Sequence, residues 1–220
     1  MIDEEKFNHA IFAGKVEEVK KMTQEALDRG ENAKNILNQG LIRAMDEVGI
    51  KFKNNEIYIP EVLIAARAMR GGLEILKPIL SKSGSSKYSK IAIGTVKGDL
   101  HDIGKNLVGV MLEGAGFEVV DLGIDVPSEK FIQVAKEYGV KIIAMSALLT
   151  TTMTQMEATM KALKVARLSN NIKILVGGAP VTEKFARQIG AHGYAPDAAL
   201  AVEKAKELLG FKSGSIRQIT

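Results

Sequence analysis

From Ile91 onward the sequence alternates between two kinds of apolar pattern, and that alternation leaves few folds open to it. Short apolar runs near 91–96, 117–122, 140–146, 172–177 and 192–195 read as strands. Stretches near 103–115, 128–138, 153–168, 182–189 and 197–209 carry helical periodicity instead. Parallel neighbours cannot be joined by a hairpin; they need a crossover of a dozen or more residues, which the helical stretches supply. Five βα units therefore predict an α/β domain with a doubly wound parallel sheet in the order 2-1-3-4-5. In open sheets of this kind, ligands bind outside the carboxyl ends of the strands.

Before residue 80 the signals are helical only. Asp3 is placed to cap a first helix through Phe12, and Val16, Val19, Met22 and Ala26 stripe a second that stops near Gly30. Leu37, Leu41, Met45 and Val48 mark a third, ended by Gly49. Val62, Ala66, Met69, Leu73, Leu76 and Leu80 mark a fourth, opened by Pro60. Four amphipathic helices on short loops predict a four-helix bundle over residues 1–80. The stretch Val48–Pro60 is expected as a connecting loop, and its Phe52, Ile57, Tyr58 and Ile59 need something to cover them. Residues 81–90 are polar and aperiodic and read as a linker, leaving 91–210 for the α/β domain and 211–220 as a loose tail.

Composition excludes several classes of function. With no cysteine, there are no disulfides and no thiolate metal ligands, so a metal must be held by His, carboxylate or a cofactor. No signal peptide opens the chain and no apolar run is long enough to span a bilayer, which makes the cytoplasm the expected location. The net charge of +4 is spread among 26 acidic residues, as in Lys15, Glu17, Glu18, Lys20 and Lys21, the pattern of solvated helix faces. Aromatics are 5% and Trp is absent, so stacking platforms for a nucleic acid are lacking too.

The chemistry concentrates in Gly98-Asp99-Leu100-His101-Asp102-Ile103-Gly104, directly after the first strand signal. Asp99 can accept from one ring nitrogen of His101 and leave the other for a metal, fixing both tautomer and orientation. Gly104 suits a tight turn where the backbone passes close to a large group. Ser146-Ala147-Leu148 closes the third strand signal and Gly177-Gly178 the fourth, so all three elements should meet at one sheet edge. A metallohydrolase would need further ligands, and only His9 and His192 remain, His192 being expected as structural or solvent-facing. A phospho-acceptor receiver would need Asp where Ser146 stands, and no Gly-x-Gly-x-x-Gly or Walker loop follows the first strand.

Asp-x-His-x-x-Gly, Ser-x-Leu and Gly-Gly at these spacings closely resemble the cobalamin-binding domains that hold their cofactor base-off with histidine on cobalt, in a flavodoxin-like (Rossmann-type) fold. The resemblance implies a cobalamin or related corrinoid with His101 as lower axial ligand and with Asp99 and Thr152 completing a proton relay. Gly98, Asp102, Ile103 and Gly104 would border the cofactor. Ser146 would hydrogen-bond the base of its nucleotide tail, Leu148 would pack on that base, Thr150 would lie beside them, and Gly177 and Gly178 would leave room for the tail. Residues from about Asn38 to Leu80 resemble the helical cap that precedes this domain in methionine synthase and in small corrinoid proteins. There, the positions matching Phe52 and Ile59 shield the methyl group on cobalt.

The format most resembles corrinoid proteins of methanol, methylamine, betaine or aryl-ether systems, which are not complete enzymes alone. It implies a methyl carrier, passing through methylcobalamin, between a substrate-specific methyltransferase and a second enzyme serving coenzyme M or tetrahydrofolate. A reductive activase fits the same scheme; nucleic acid and membrane do not. A cobalamin-dependent regulator shares cap and cofactor domain but usually adds a DNA-binding segment. A mutase domain lacks the shielding cap and requires a barrel partner.

Overall fold

A computed structural model describes residues 2–82, 89–168 and 171–211. Contacts divide the chain into two compact units, residues 1–88 with 113–116, and residues 89–112 with 117–220. The expected linker falls mostly on 83–88 and the expected tail mostly on 212–220, both outside the described residues.

The first unit is helical. α1 (Glu4–Phe12) is capped by Asp3, whose carboxylate accepts from the Lys6 amide at 3.2 Å. α2 (Val16–Asp28) ends at Gly30, which adopts φ +82°. The third helical rod is one continuous run: α3 (Ala33–Asn35), a π-helical segment Ile36–Ile42, and α4 (Arg43–Lys53). α5 (Ile59–Lys82) follows, so Ser81 and Lys82, expected in the linker, are helical. The stripes read from sequence form the bundle's interior: Val19, Leu37, Leu41, Met45, Val48, Val62, Met69 and Leu76 are all buried. α2 lies against α5 at Gly72, where a Cβ would sit 2.9 Å from Thr23 Oγ1 and 3.0 Å from Val19 Cγ1. Glycine's weak helix propensity is outweighed there by close packing.

One boundary differs from the sequence expectation. The third rod does not stop at Gly49; it runs on to Lys53 and closes around Asn55, at φ +58°. The Glu56 amide donates to the Lys51 carbonyl at 2.9 Å and the Asn55 amide to Phe52 at 3.0 Å, the paired bonds of a Schellman cap with Asn in the left-handed position. The expected loop Val48–Pro60 therefore shrinks to residues 54–58. Phe52 lies half-buried on the last turn of α4, and Ile59 is exposed at the start of α5.

The second unit is the expected α/β sheet. Its strands are β1 (Lys90–Thr95), β2 (Glu118–Asp121), β3 (Ile142–Ser146), β4 (Lys173–Gly177) and β5 (Gly193–Ala195), all parallel, in the order β2-β1-β3-β4-β5. α6 (Ile103–Gly114), α7 (Ser128–Glu137), α8 (Met153–Val165), α9 (Glu183–Ile189) and α10 (Ala198–Leu208) connect or follow them. The central strands β1 and β3 are buried almost throughout, as strands covered on both faces must be. Register aligns Thr95, Ser146 and Gly177 in one row, so the three sequence elements leave the sheet side by side.

His192 extends the sheet's edge: its amide donates to the Ile174 carbonyl at 2.9 Å and its Nδ1 accepts from the Ile174 amide at 3.0 Å. Partial burial and nearby Lys173 push its ring pKa down, consistent with a neutral acceptor nitrogen. No described helix is long and apolar enough to cross a membrane.

Candidate cofactor site

Beyond β1 the chain turns over Val96–Asp99. The Asp99 amide donates to the Val96 carbonyl at 3.1 Å, and Gly98 takes φ +80°, the third position of a type II turn. The turn delivers Asp99, fully buried, under the carboxyl ends of β1 and β3. Its Oδ1 accepts from the His101 amide at 3.2 Å and lies 2.7 Å from His101 Nδ1. Its Oδ2 accepts from the Leu148 amide at 2.7 Å, the Leu149 amide at 3.3 Å and the Thr152 hydroxyl at 2.6 Å. Burial alone would push this carboxyl up. The Thr152 hydroxyl, the Leu148 amide and the His101 donors outweigh it and hold the pKa well below the usual carboxylate range.

The short contact fixes the tautomer of the neutral His101 ring. A carboxylate only accepts, so a ring proton sits on Nδ1 and the lone pair of the neutral imidazole is on Nε2. The imidazole side chain is 50% exposed. Its backbone is held too, because the Thr95 hydroxyl donates to the His101 carbonyl at 2.8 Å. No group of three or more His, Cys, Asp or Glu among the described residues could hold a metal ion. One oriented histidine suits a metal whose remaining ligands come with its cofactor.

The surroundings fit a large, partly apolar group. Leu100 and Ile103 are 68% and 76% exposed beside His101, and Leu148 and Leu149, whose amides hold Asp99, are 42% and 43% exposed. Gly104 is not the tight turn expected; it stands in the first turn of α6, and a Cβ there would meet nothing within 4 Å. The chain's own packing leaves that space open. Asp102 is exposed and accepts from Asn106 Nδ2 at 3.1 Å, while its carbonyl starts α6 by accepting from the Asn106 amide at 2.7 Å. Ser146 is half-buried and Thr150 exposed, and neither side-chain hydroxyl has a partner among the described residues. Gly177 and Gly178 are required by the sheet itself: a Cβ on Gly178 would sit 1.9 Å from the Ala147 carbonyl oxygen, and one on Gly177 would sit 2.8 Å from that of Ala195.

Three residues escape the sequence reading. Lys105 is buried, and its ammonium reaches Asp121 at 2.6 and 2.7 Å and Asn106 Oδ1 at 2.6 Å. Its signal was present, because Lys105, Gly109 and Leu112 share the buried stripe of α6, where a lysine needs a carboxylate. Asp121, at the end of β2, supplies it. Asp125 is the third, and no residue pattern announces it.

A doubly wound sheet that presents one carboxylate-oriented histidine among exposed apolar side chains at its carboxyl edge is a cofactor-binding module. The B12 binding domain family matches residues 89–203, and a second B12 binding domain model matches residues 3–77. A corrinoid protein of Desulfitobacterium hafniense (strain Y51) is 41% identical over 213 residues, covering 96% of this chain and 98% of that protein. Dimethylamine corrinoid protein 1 of Methanosarcina acetivorans is 47% identical over 175 residues, covering 79% and 82%. The crystal structure of the methanol:cobalamin methyltransferase complex from Methanosarcina barkeri superposes with a TM-score of 0.81 at 30% identity, covering 93% of this chain and 79% of that one. The chain belongs to the B12-binding family, in its corrinoid-protein branch, and its cofactor is a cobalamin or related corrinoid.

Proposed function

We propose that this protein is a methyl carrier that binds its corrinoid base-off with His101 as the lower axial ligand. The observation that carries the reading is the free Nε2 of a histidine whose tautomer and direction are fixed by a buried, ionised Asp99. When bound, the corrinoid supplies a metal centre able to accept a methyl group and give it up again. The chain's residues hold and tune it. Asp99 keeps the proton at Nδ1, and a proton taken up at Nε2 would find its counter-charge there, with the Thr152 hydroxyl behind it. Ser146 and Leu148, with Thr150 beside them, are assigned to the nucleotide tail, and Gly98, Asp102, Ile103, Gly104, Gly177 and Gly178 to its surroundings.

The relatives support methylamines or methanol as donor, since one is called a dimethylamine corrinoid protein and another is a chain of a methanol:cobalamin methyltransferase complex. The partners assigned here are such a methyltransferase and an acceptor enzyme serving coenzyme M or tetrahydrofolate, with an activase for accidental oxidation. Purified protein loaded with corrinoid and reduced should take up about one labelled methyl per cofactor when the matching donor enzyme and substrate are added. It should then pass that methyl to the acceptor enzyme. Corrinoid binding without methyl uptake from any methylamine, methanol, betaine or aryl-ether enzyme would favour the sensor reading instead.

Phe52 and Ile59 are assigned to shielding the methyl group. Phe52→Ala should leave corrinoid affinity within about twofold and speed photolysis of added methylcobalamin severalfold, because a half-buried side chain is lost while Asp99 and His101 are unchanged. Equal photolysis rates in variant and wild type would remove Phe52 from that role.

A further inference from the structure

The turn that delivers Asp99 is held from outside through two of its polar groups, the Gly98 amide and the Asp99 carbonyl. Both are taken by one residue. Asp125 Oδ1 accepts from the Gly98 amide at 2.6 Å, and the Asp125 amide donates to the Asp99 carbonyl at 3.0 Å. To do this Asp125 adopts φ +52°, a left-handed conformation that costs most side chains energy and that Asp and Asn tolerate best.

The segment that carries it is itself pinned. The Gly123 carbonyl accepts from the Thr95 amide at 3.0 Å, the Val126 amide donates to the Thr95 carbonyl at 2.9 Å, and Val96 bridges to Val126. Upstream, Asp121 Oδ1 accepts from the Gly123 amide at 2.9 Å while the buried Lys105 ammonium grips the same carboxylate. Asp125 thus stands on a rigid support and reaches across to the turn.

From this geometry we infer that Asp125 is a positioning residue for the metal-ligating histidine. It sets the plane of the turn from which Asp99, and through Asp99 the imidazole, is aimed. Outer partners of a ligating histidine typically govern metal affinity by 10–100-fold. Asp125 acts one residue further out, through the backbone. The inference rests on the lower-ligand assignment of His101 for its functional meaning, but its structural content concerns the protein without cofactor.

Three substitutions separate what Asp125 supplies. Asp125→Asn keeps both the acceptor oxygen and the tolerance of positive φ; Asp125→Gly keeps only the backbone; Asp125→Ala keeps neither. Two readouts are needed: nitrogen-15 NMR of the His101 ring in the cofactor-free protein, and the absorbance of each variant with added hydroxocobalamin. Asp125→Asn should match wild type in both. Asp125→Gly and Asp125→Ala should mix the two ring tautomers and weaken His-on binding by roughly tenfold. A merely structural role would lower their unfolding midpoints and leave the tautomer and the His-on spectrum as in wild type, and that result would overturn the inference. His101→Ala is run alongside. If it binds with the wild-type spectrum, the lower-ligand assignment fails, and the ring signals of the cofactor-free variants alone decide the role of Asp125.

Discussion

Asp99→Asn is expected to abolish ligation by His101 and to destabilise the α/β unit by about 2–4 kcal/mol. The change is small in volume and large in hydrogen bonding. Every group around the carboxylate is a donor, and each of its two oxygens faces at least one backbone amide that cannot turn away. An asparagine offers one acceptor and one donor, so one side must meet donor against donor. Turning its NH2 toward Leu148 and Leu149 would strand two amides, while the Thr152 hydroxyl could still donate to the Leu149 carbonyl at 2.9 Å. Turning it toward His101 strands one amide and leaves Nδ1 free to become the acceptor. The second arrangement costs less and moves the ring proton to Nε2, the nitrogen assigned to the metal in the proposed function. The variant should therefore bind corrinoid 10–100-fold more weakly and without the His-on spectrum, with a lowered urea midpoint. A wild-type spectrum and midpoint would show that the carboxylate does not set the tautomer.

Gly178→Ala should be among the costliest single methyl additions in this unit. The added Cβ would lie 1.9 Å from the Ala147 carbonyl oxygen, and the residue would have to keep φ +124°. A backbone oxygen cannot rotate away as a side chain does, so relief requires the ends of β3 and β4 to part. Strain and overpacking together cost about 4 kcal/mol or more, a large share of the roughly 5–15 kcal/mol that holds a domain folded. Ser146 and Leu148 flank that carbonyl, so corrinoid binding should fall with stability. A urea midpoint within about 1 kcal/mol of wild type would mean that the strand ends adjust freely.

Much of this architecture is legible in the residues because burial imposes a period. The five apolar runs lie within two residues of β1 to β5 at either end, and the bundle's stripes are its buried faces. Local chemistry was harder to read. Gly49 looks like a helix stop, yet burial of Met45 and Val48 outweighs roughly 1 kcal/mol of poor propensity, and Asn55 ends the rod instead. Asp99 and His101 could be paired from sequence because they lie two residues apart. Thr152 entered only through the resemblance. The link from Asp125 to Gly98 crosses 27 positions and depends on a left-handed backbone, which no periodicity encodes. The glycine pair shows a different limit. Its place was legible, whereas its reason, the approach of neighbouring carbonyls, required the sheet.

The central claim is that Nε2 of His101 is the protein's bond to the metal, and the absorbance of His101→Ala with bound corrinoid tests it most directly. Wild type should show a base-off, His-on spectrum. The variant should retain base-off corrinoid, more weakly bound and lacking the histidine-ligated band, because the residues assigned to the nucleotide tail are unchanged. A His101→Ala spectrum identical to wild type would contradict the account at its centre.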